Sequence, residues 1–207
     1  MGVAQNLSQR DQALTKLRRH GMLRLGELAA AGITAATIAR MESDGAVVRL
    51  ARGLYQLPDA PVDTHHTLAQ VSKLVPKGII CLGSALAFHE LTDHVPARVW
   101  VAIGVSDWKP KIQAPPMRFA RYPAAQLARD VRVHVIDGVK VPVFGIAKTL
   151  ADLFRYRRIT GINLAVEGLR EALRQRKAKP AEIAKAAAAG GVWKIIEPYL
   201  MALTADG

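Results

Sequence analysis

The chain has 207 residues, half of them hydrophobic, with 29 Lys and Arg against 17 Asp and Glu and a formal net charge of +12. This length holds one large domain or a small one joined to a larger one, and the apolar half suffices for a core, which excludes a disordered polymer. So basic a balance favours DNA, RNA or an anionic membrane surface as partner, and the single cysteine, Cys81, excludes an internal disulfide and points to a reducing compartment.

In chain order, Ser8–His20 predicts a helix: Ser8 is the N-cap, Leu14 and Leu17 share a face, and Gly21 stops it. Leu25–Ala31 predicts a short second helix closed by Gly32. Thr34 is an N-cap for a third helix that runs to about Asp44, with Ile38 and Met41 inward and Gly45 after it. Val47–Leu50 and Leu54–Leu57 predict two strands joined by Ala51-Arg52-Gly53, and Pro58 ends the second. Helix, short helix, tight turn, helix and basic hairpin is the order of a winged helix-turn-helix, which lays its third helix in the major groove of double-stranded DNA.

Pro58–Pro61 predicts a linker. Beyond it, helices are expected over Thr64–Val75 and Ser84–Leu91, and strands over Gly78–Leu82, Val99–Val105 and Met117–Tyr122. A hairpin follows, Val131–Ile136 and Val139–Phe144 about an Asp137-Gly138 turn, then helices over Ile146–Arg157, Gly161–Gln175, Pro180–Ala189 and Val192–Leu203. The expected fold class is α+β (mixed α/β). A winged helix-turn-helix over residues 1–58 precedes an α/β domain over residues 62–207, a sheet flanked by helices with a helical C-terminus.

With Ile38 and Met41 inward, the DNA-facing candidates on the third helix are Thr34, Ala35, Ala36, Thr37 and Arg40, with Ala39 and Ser43 also outside. Arg40 is the long cation of that helix and suits bidentate contact with guanine, while the small residues allow close approach to thymine methyls. Arg49 and Arg52 flank the wing turn and suit phosphates or the minor groove. Arg24 and Lys16, with Arg18 and Arg19, are weaker phosphate candidates; for each, an ordinary solvated charge is the alternative.

Residues 1–60 carry 8 cations and 5 anions, whereas residues 61–158 carry 14 and 7. Two downstream clusters stand out, Arg155, Arg157 and Arg158, and then Arg170, Arg174, Arg176, Lys177 and Lys179. They are either a solvated face or a second basic surface for DNA, RNA or an acidic partner.

Signals for catalysis, metal or cofactor are poor, and none is expected. His89-Glu90 begins like a zinc-protease helix, but Asp93 stands where the second histidine is needed. Gly83-Ser84 lacks the second glycine of a nucleophile elbow, and no phosphate-binding glycine loop is present. Met1–Arg10 has no signal-peptide pattern, and the longest apolar stretch, Gly78–Phe88, is about half of a bilayer span. A soluble, cytoplasmic protein without a membrane partner is expected.

Three segments carry a family resemblance. Gly45–Leu57 looks like the wing of the AbiEi-type antitoxins; Ser84–Thr92 resembles the small-Ala-Leu, helix, Leu-Thr segment of their second domain; Lys148–Phe154 resembles their Thr-Leu, Asp-Leu helix. The similarity spans about residues 10–200 and is weakest from Pro180 onward. It implies the antitoxin of a two-gene, type IV abortive-infection system. The first domain of such a protein represses the system's own promoter at inverted repeats. The second counteracts a nucleotidyltransferase-like toxin without a stable complex. By that analogy Thr149 and Asp152 serve antitoxicity; the plainer reading is structural, with Asp152 a helix-surface or ion-paired residue. Two other readings stay open, a regulator whose second domain senses a small ligand and an enzyme positioned on nucleic acid by the winged helix.

Overall fold

The computed structural model describes residues 7–205; most of the N-terminal stretch inspected for a signal peptide lies outside them. The chain forms two compact units. One is built from the chain up to Pro76 together with His134–Val141, the other from Lys77–Val133 and from Pro142 onward. The elements in order are α1 (Gln9–His20), β1 (Met22–Arg24), α2 (Leu25–Ala30), α3 (Ala35–Ser43), β2 (Val48–Ala51), β3 (Leu54–Gln56), α4 (His66–Leu74), β4 (Ile79–Ile80), α5 (Leu82–Phe88), β5 (Val99–Gly104), β6 (Met117–Tyr122), α6 (Ala124–Leu127), β7 (Val131–Ile136), β8 (Val139–Phe144), α7 (Ile146–Arg155), α8 (Arg157–Thr160), α9 (Ile162–Arg174), α10 (Pro180–Ala189) and α11 (Trp193–Thr204). The protein is mixed α and β, as expected.

The first unit begins as a winged helix. Ser8 caps α1, its Oγ accepting the Asp11 N–H at 3.2 Å. Leu28, Ile33, Ile38 and Met41 pack with Ala13, Leu17, Val47 and Tyr55 into one core. Each large apolar side chain buried there contributes about 1.5–3 kcal/mol, so the core rather than helix propensity holds these short helices. The turn between α2 and α3 needs Gly32, whose φ is 81°. Strand β1 was not expected from the sequence. It pairs antiparallel with β3, Met22 opposite Gln56, and makes the wing sheet three-stranded in the order β1-β3-β2. Also in this unit, Asp137 accepts the Asp63 N–H at 3.1 Å and contacts His66 Nδ1.

The second unit is organised on a five-stranded sheet, β6-β5-β4-β8-β7. Strand β4 runs antiparallel to β5 and parallel to β8, and β5 runs parallel to β6. Trp100, Ala102, Ala120 and Tyr122 join Leu82 and Leu86 of α5, Leu150, Leu153 and Phe154 of α7, and Leu169 of α9 in the core. Helices α5 and α9 approach closely at Gly168, where a Cβ would stand 2.6 Å from a Leu86 methyl.

The fold here adds α6, which was not expected, and the helix expected over Ser84–Leu91 runs Leu82–Phe88; two further differences have a clear cause. The strand expected over Gly78–Leu82 is only Ile79–Ile80, because Cys81 takes the extended N-cap position and Leu82 already begins α5. The helix expected over Ile146–Arg157 ends at Arg155, and a separate turn, α8, follows. Tyr156 sits at this break, its hydroxyl donating to the Arg121 carbonyl at 2.8 Å.

Candidate nucleic-acid interface

Helix α3 is held by its inner face and its N-terminus. Ile38 and Met41 are fully buried, while Ala35, Ala36, Ala39, Arg40 and Ser43 are exposed. Thr34 caps the helix, Oγ1 accepting the Thr37 N–H at 3.2 Å. A residue that sequence reasoning missed completes this cap. Gln9 of α1 uses one oxygen, Oε1, to accept the Thr34 N–H (3.1 Å), the Thr34 hydroxyl (3.2 Å) and the Thr37 hydroxyl (2.8 Å). The hydroxyls of Thr34 and Thr37 therefore orient α3 against α1, and the outward chemistry of the helix falls to Ala35, Ala36, Ala39, Arg40 and Ser43. No sequence signal marks Gln9, because a first-turn glutamine has no spacing relation to a cap 25 residues downstream.

Arg40 has no ion pair among the described residues. At the end of α3, Asp44 is neutralised by Arg10 at 2.7 Å, which removes one anion from the neighbourhood. An uncompensated cation on a face of small side chains suits a negatively charged, grooved partner.

The wing supplies the second part. Arg49 lies on β2 opposite Tyr55, and Arg52 occupies the turn before Gly53, whose φ is 70°. The Gly53 carbonyl accepts the Leu25 N–H at 2.8 Å, tying the turn to the start of α2. Arg24, Arg49 and Arg52 then line one open depression of about 380 Å³ with Leu25, Gly26, Gly53 and Tyr55. Three arginines around one concavity are the side-chain chemistry that suits an anion of phosphate type. Glu27 does not fill it. Although burial pushes its carboxyl up, the Arg24 N–H (2.7 Å) and the Lys73 ammonium (2.7 Å) outweigh that and hold it below its ordinary range. Of the other first-unit candidates, Lys16 is half-buried on α1, and Arg18 and Arg19 are exposed in its last turn.

The basic residues downstream are placed differently. Arg155 donates to the Gly190 carbonyl at 3.0 Å and Arg157 to the Phe154 carbonyl at 2.9 Å. Arg174 makes a bidentate contact with Glu171, at 2.6 and 2.7 Å. Hydrogen bonds from Arg174 and then Gln175 lower the Glu171 carboxyl to about 2. Lys177 donates to the His89 carbonyl (2.8 Å) and to Glu90 (3.2 Å). Of these cluster residues, Arg158, Arg170 and Arg176 are exposed and have no side-chain ion pair or hydrogen bond among the described residues.

The Thr-Leu, Asp-Leu segment forms the buried centre of the second unit: Lys148–Phe154 is a continuous buried stretch of α7. Asp152 is ion-paired, as one reading held, but it lies in the core rather than on the helix surface. Lys148 Nζ donates to Asp152 Oδ2 at 2.8 Å, and the ammonium stands 4.2 Å from the Phe144 ring centroid and 5.0 Å from that of Tyr122. Burial raises the Asp152 carboxyl above its ordinary range, a push that Lys148 opposes without cancelling. Thr149 donates to the Phe144 carbonyl at 3.3 Å. Among the described residues no group of three or more His, Cys, Asp or Glu side chains is placed to hold a metal ion, and no helix is long and apolar enough to cross a membrane.

Residues 11–58 match the family model for the transcriptional regulator AbiEi antitoxin. The winged helix of this chain is thus similar to the regulator domain of AbiEi-type antitoxins. No curated protein matches the chain. Among solved structures, the fold is similar to that of the RV2827C protein from Mycobacterium tuberculosis, with a TM-score of 0.53 and 15% identity over 96% of this chain and 81% of that one.

Proposed function

We propose that this protein is a sequence-specific DNA-binding autorepressor and the antitoxin of a type IV, two-gene abortive-infection system. DNA binding is assigned to residues 1–58 and antitoxicity to residues 62–207. One observation carries the DNA-binding part: α3 exposes Ala35, Ala36, Ala39 and Arg40 from the same small unit in which Arg24, Arg49 and Arg52 line one depression. The helix then reads base edges in the major groove through Arg40, and the wing arginines grip the backbone beside it. The autoregulatory and antitoxin parts rest on the family resemblance: inverted repeats in the protein's own promoter as operator, and a nucleotidyltransferase-like toxin counteracted without a stable complex.

A mobility-shift titration on the upstream promoter and on unrelated DNA, at two salt concentrations, tests the DNA reading. Tight binding that prefers the promoter and is lost in Arg40→Ala/Arg52→Ala supports it. Each bidentate base contact is worth about 1–3 kcal/mol of discrimination, so Arg40→Ala alone is expected to cost roughly five- to 150-fold in promoter preference. Equal, weak binding to both DNAs overturns it. Rescue of growth on co-expression with the neighbouring toxin gene tests the antitoxin reading separately.

A further inference from the structure

In the second unit, an aromatic and basic edge lies apart from the winged helix in the sequence. Strand β6 is an edge strand of the five-stranded sheet, and the loop that leads into it from β5 carries Trp108, whose surface is 80% exposed. An indole so fully in water is unusual for a side chain that contributes most when buried. Arg121 builds the base of the loop: its Nη1 donates to the carbonyls of Gly104 (3.2 Å), Val105 (2.6 Å) and Asp107 (3.0 Å). Asp107 Oδ2 closes the turn by accepting the Gly104 N–H at 2.7 Å. Trp108 follows directly on this locked turn, so a built structure presents it.

Cations lie close to the indole along the chain. From Gly104 to Arg121 the chain carries Lys109, Lys111, Arg118 and Arg121 against the single anion Asp107, and that carboxylate is already engaged. Lys109 Nζ lies 5.8 Å from the Phe119 ring centroid and the Arg118 guanidinium 5.4 Å from that of Trp100, which places two cations over rings along this edge. Neither Lys109, Lys111 nor Arg118 has an ion pair among the described residues.

We infer that this edge binds an unpaired stretch of RNA, with Trp108 stacking on a base and Lys109, Lys111 and Arg118 neutralising the phosphates beside it. Duplex DNA hides the faces of its bases within the stack; an unpaired strand offers them, together with a polyanionic backbone. A protein partner would have to present anions matched to these cations and an apolar socket at once, whereas a single strand supplies both from its own repeating chemistry. An anionic membrane would meet one indole and Val105, too little apolar surface to hold a protein in the interface.

Anisotropy of labelled U12 and A12 RNA with the full chain, at two salt concentrations, tests this. RNA binding is expected to weaken roughly five- to 150-fold in Trp108→Ala, the loss of one base–aromatic stack, and to be largely retained in Trp108→Phe. Lys109→Ala/Lys111→Ala is expected to lower the salt slope by about 1.4, the single-strand value for two phosphate contacts. Because Trp108 is exposed, the thermal midpoint and the promoter-duplex affinity should not move in Trp108→Ala. The inference is overturned if the wild type binds neither RNA, or if Trp108→Ala binds RNA as tightly as the wild type. It is overturned equally if dT12 DNA or anionic vesicles bind better than RNA, or if Trp108→Ala weakens promoter duplex and RNA alike.

Discussion

The wing cations Arg49 and Arg52 and the C-terminal cations Arg174 and Lys177 look equivalent in the sequence and are placed in opposite ways. Arg49 and Arg52 line a concavity with Arg24 and have no anionic partner among the described residues, whereas Arg174 is held bidentate by Glu171 and Lys177 is held by the His89 carbonyl and Glu90. A cation that already has a carboxylate gains little from a phosphate, since binding must first break the existing contact; an unpaired one releases counterions at no such cost. Counting charge by segment puts most of the excess after residue 60, while the structure places Arg49 and Arg52, without an ion pair among the described residues, beside Arg24 before it. Lys148 is a third case, a cation taken out of water altogether and stabilised by Asp152 and two aromatic rings.

The largest effect is expected where the cation is buried. Lys148→Met leaves the Asp152 carboxyl in the core without its cationic partner and should lower stability by about 3–5 kcal/mol in urea unfolding. Combining it with Asp152→Leu should restore most of that loss, because a paired buried charge replaced by apolar groups of similar size is near neutral. A double variant no better than the single would show that Asp152 stabilises the core through other contacts.

An intermediate effect separates the two surfaces directly. Arg49→Ala/Arg52→Ala should reduce the salt slope of promoter binding by about 1.8, two duplex phosphate contacts, with stability changed by less than about 0.5 kcal/mol. Arg174→Ala/Lys177→Ala should leave that slope unchanged. If the second pair lowers the slope as much as the first, the contrast between paired and unpaired cations fails as a guide to the DNA footprint.

The smallest effect concerns the pairing itself. In a carboxyl-detected NMR titration Glu171 should titrate near 2 instead of its ordinary 4.5 and return toward 4.5 in Arg174→Ala. The sign follows from the lowered value: the folded state favours the carboxylate, so the contact stabilises above about pH 4.5 and is lost as the pH falls toward 2. The pair is exposed to solvent, and its effect on overall stability is expected to be slight.

Most of the winged helix was legible from local chemistry. The Ser8 and Thr34 caps, the inward Ile38 and Met41 and the glycine turns at Gly32 and Gly53 each depend on residues within one or two helical turns, and each is where the spacing put it. Strand β6 over Met117–Tyr122 and the Asp137-Gly138 hairpin were legible for the same reason. Strand β1 was not: three residues are too short to show a period of two, and pairing with β3 makes them a strand.

The amino-acid sequence by itself determined the order of the longer elements, the face of α3 that turns inward and the cationic character of the wing, because caps, turns and apolar periodicity act over a few residues. Tertiary structure alone decided which cations remain unpaired, that Gln9 locks the hydroxyls of Thr34 and Thr37, that Asp152 lies in the core with Lys148, and that Trp108 stands in water. Each of these depends on groups far apart in the chain or on which surfaces the packed core leaves uncovered. Desolvation and hydrogen bonding are properties of that packing, and no spacing rule within a segment encodes them.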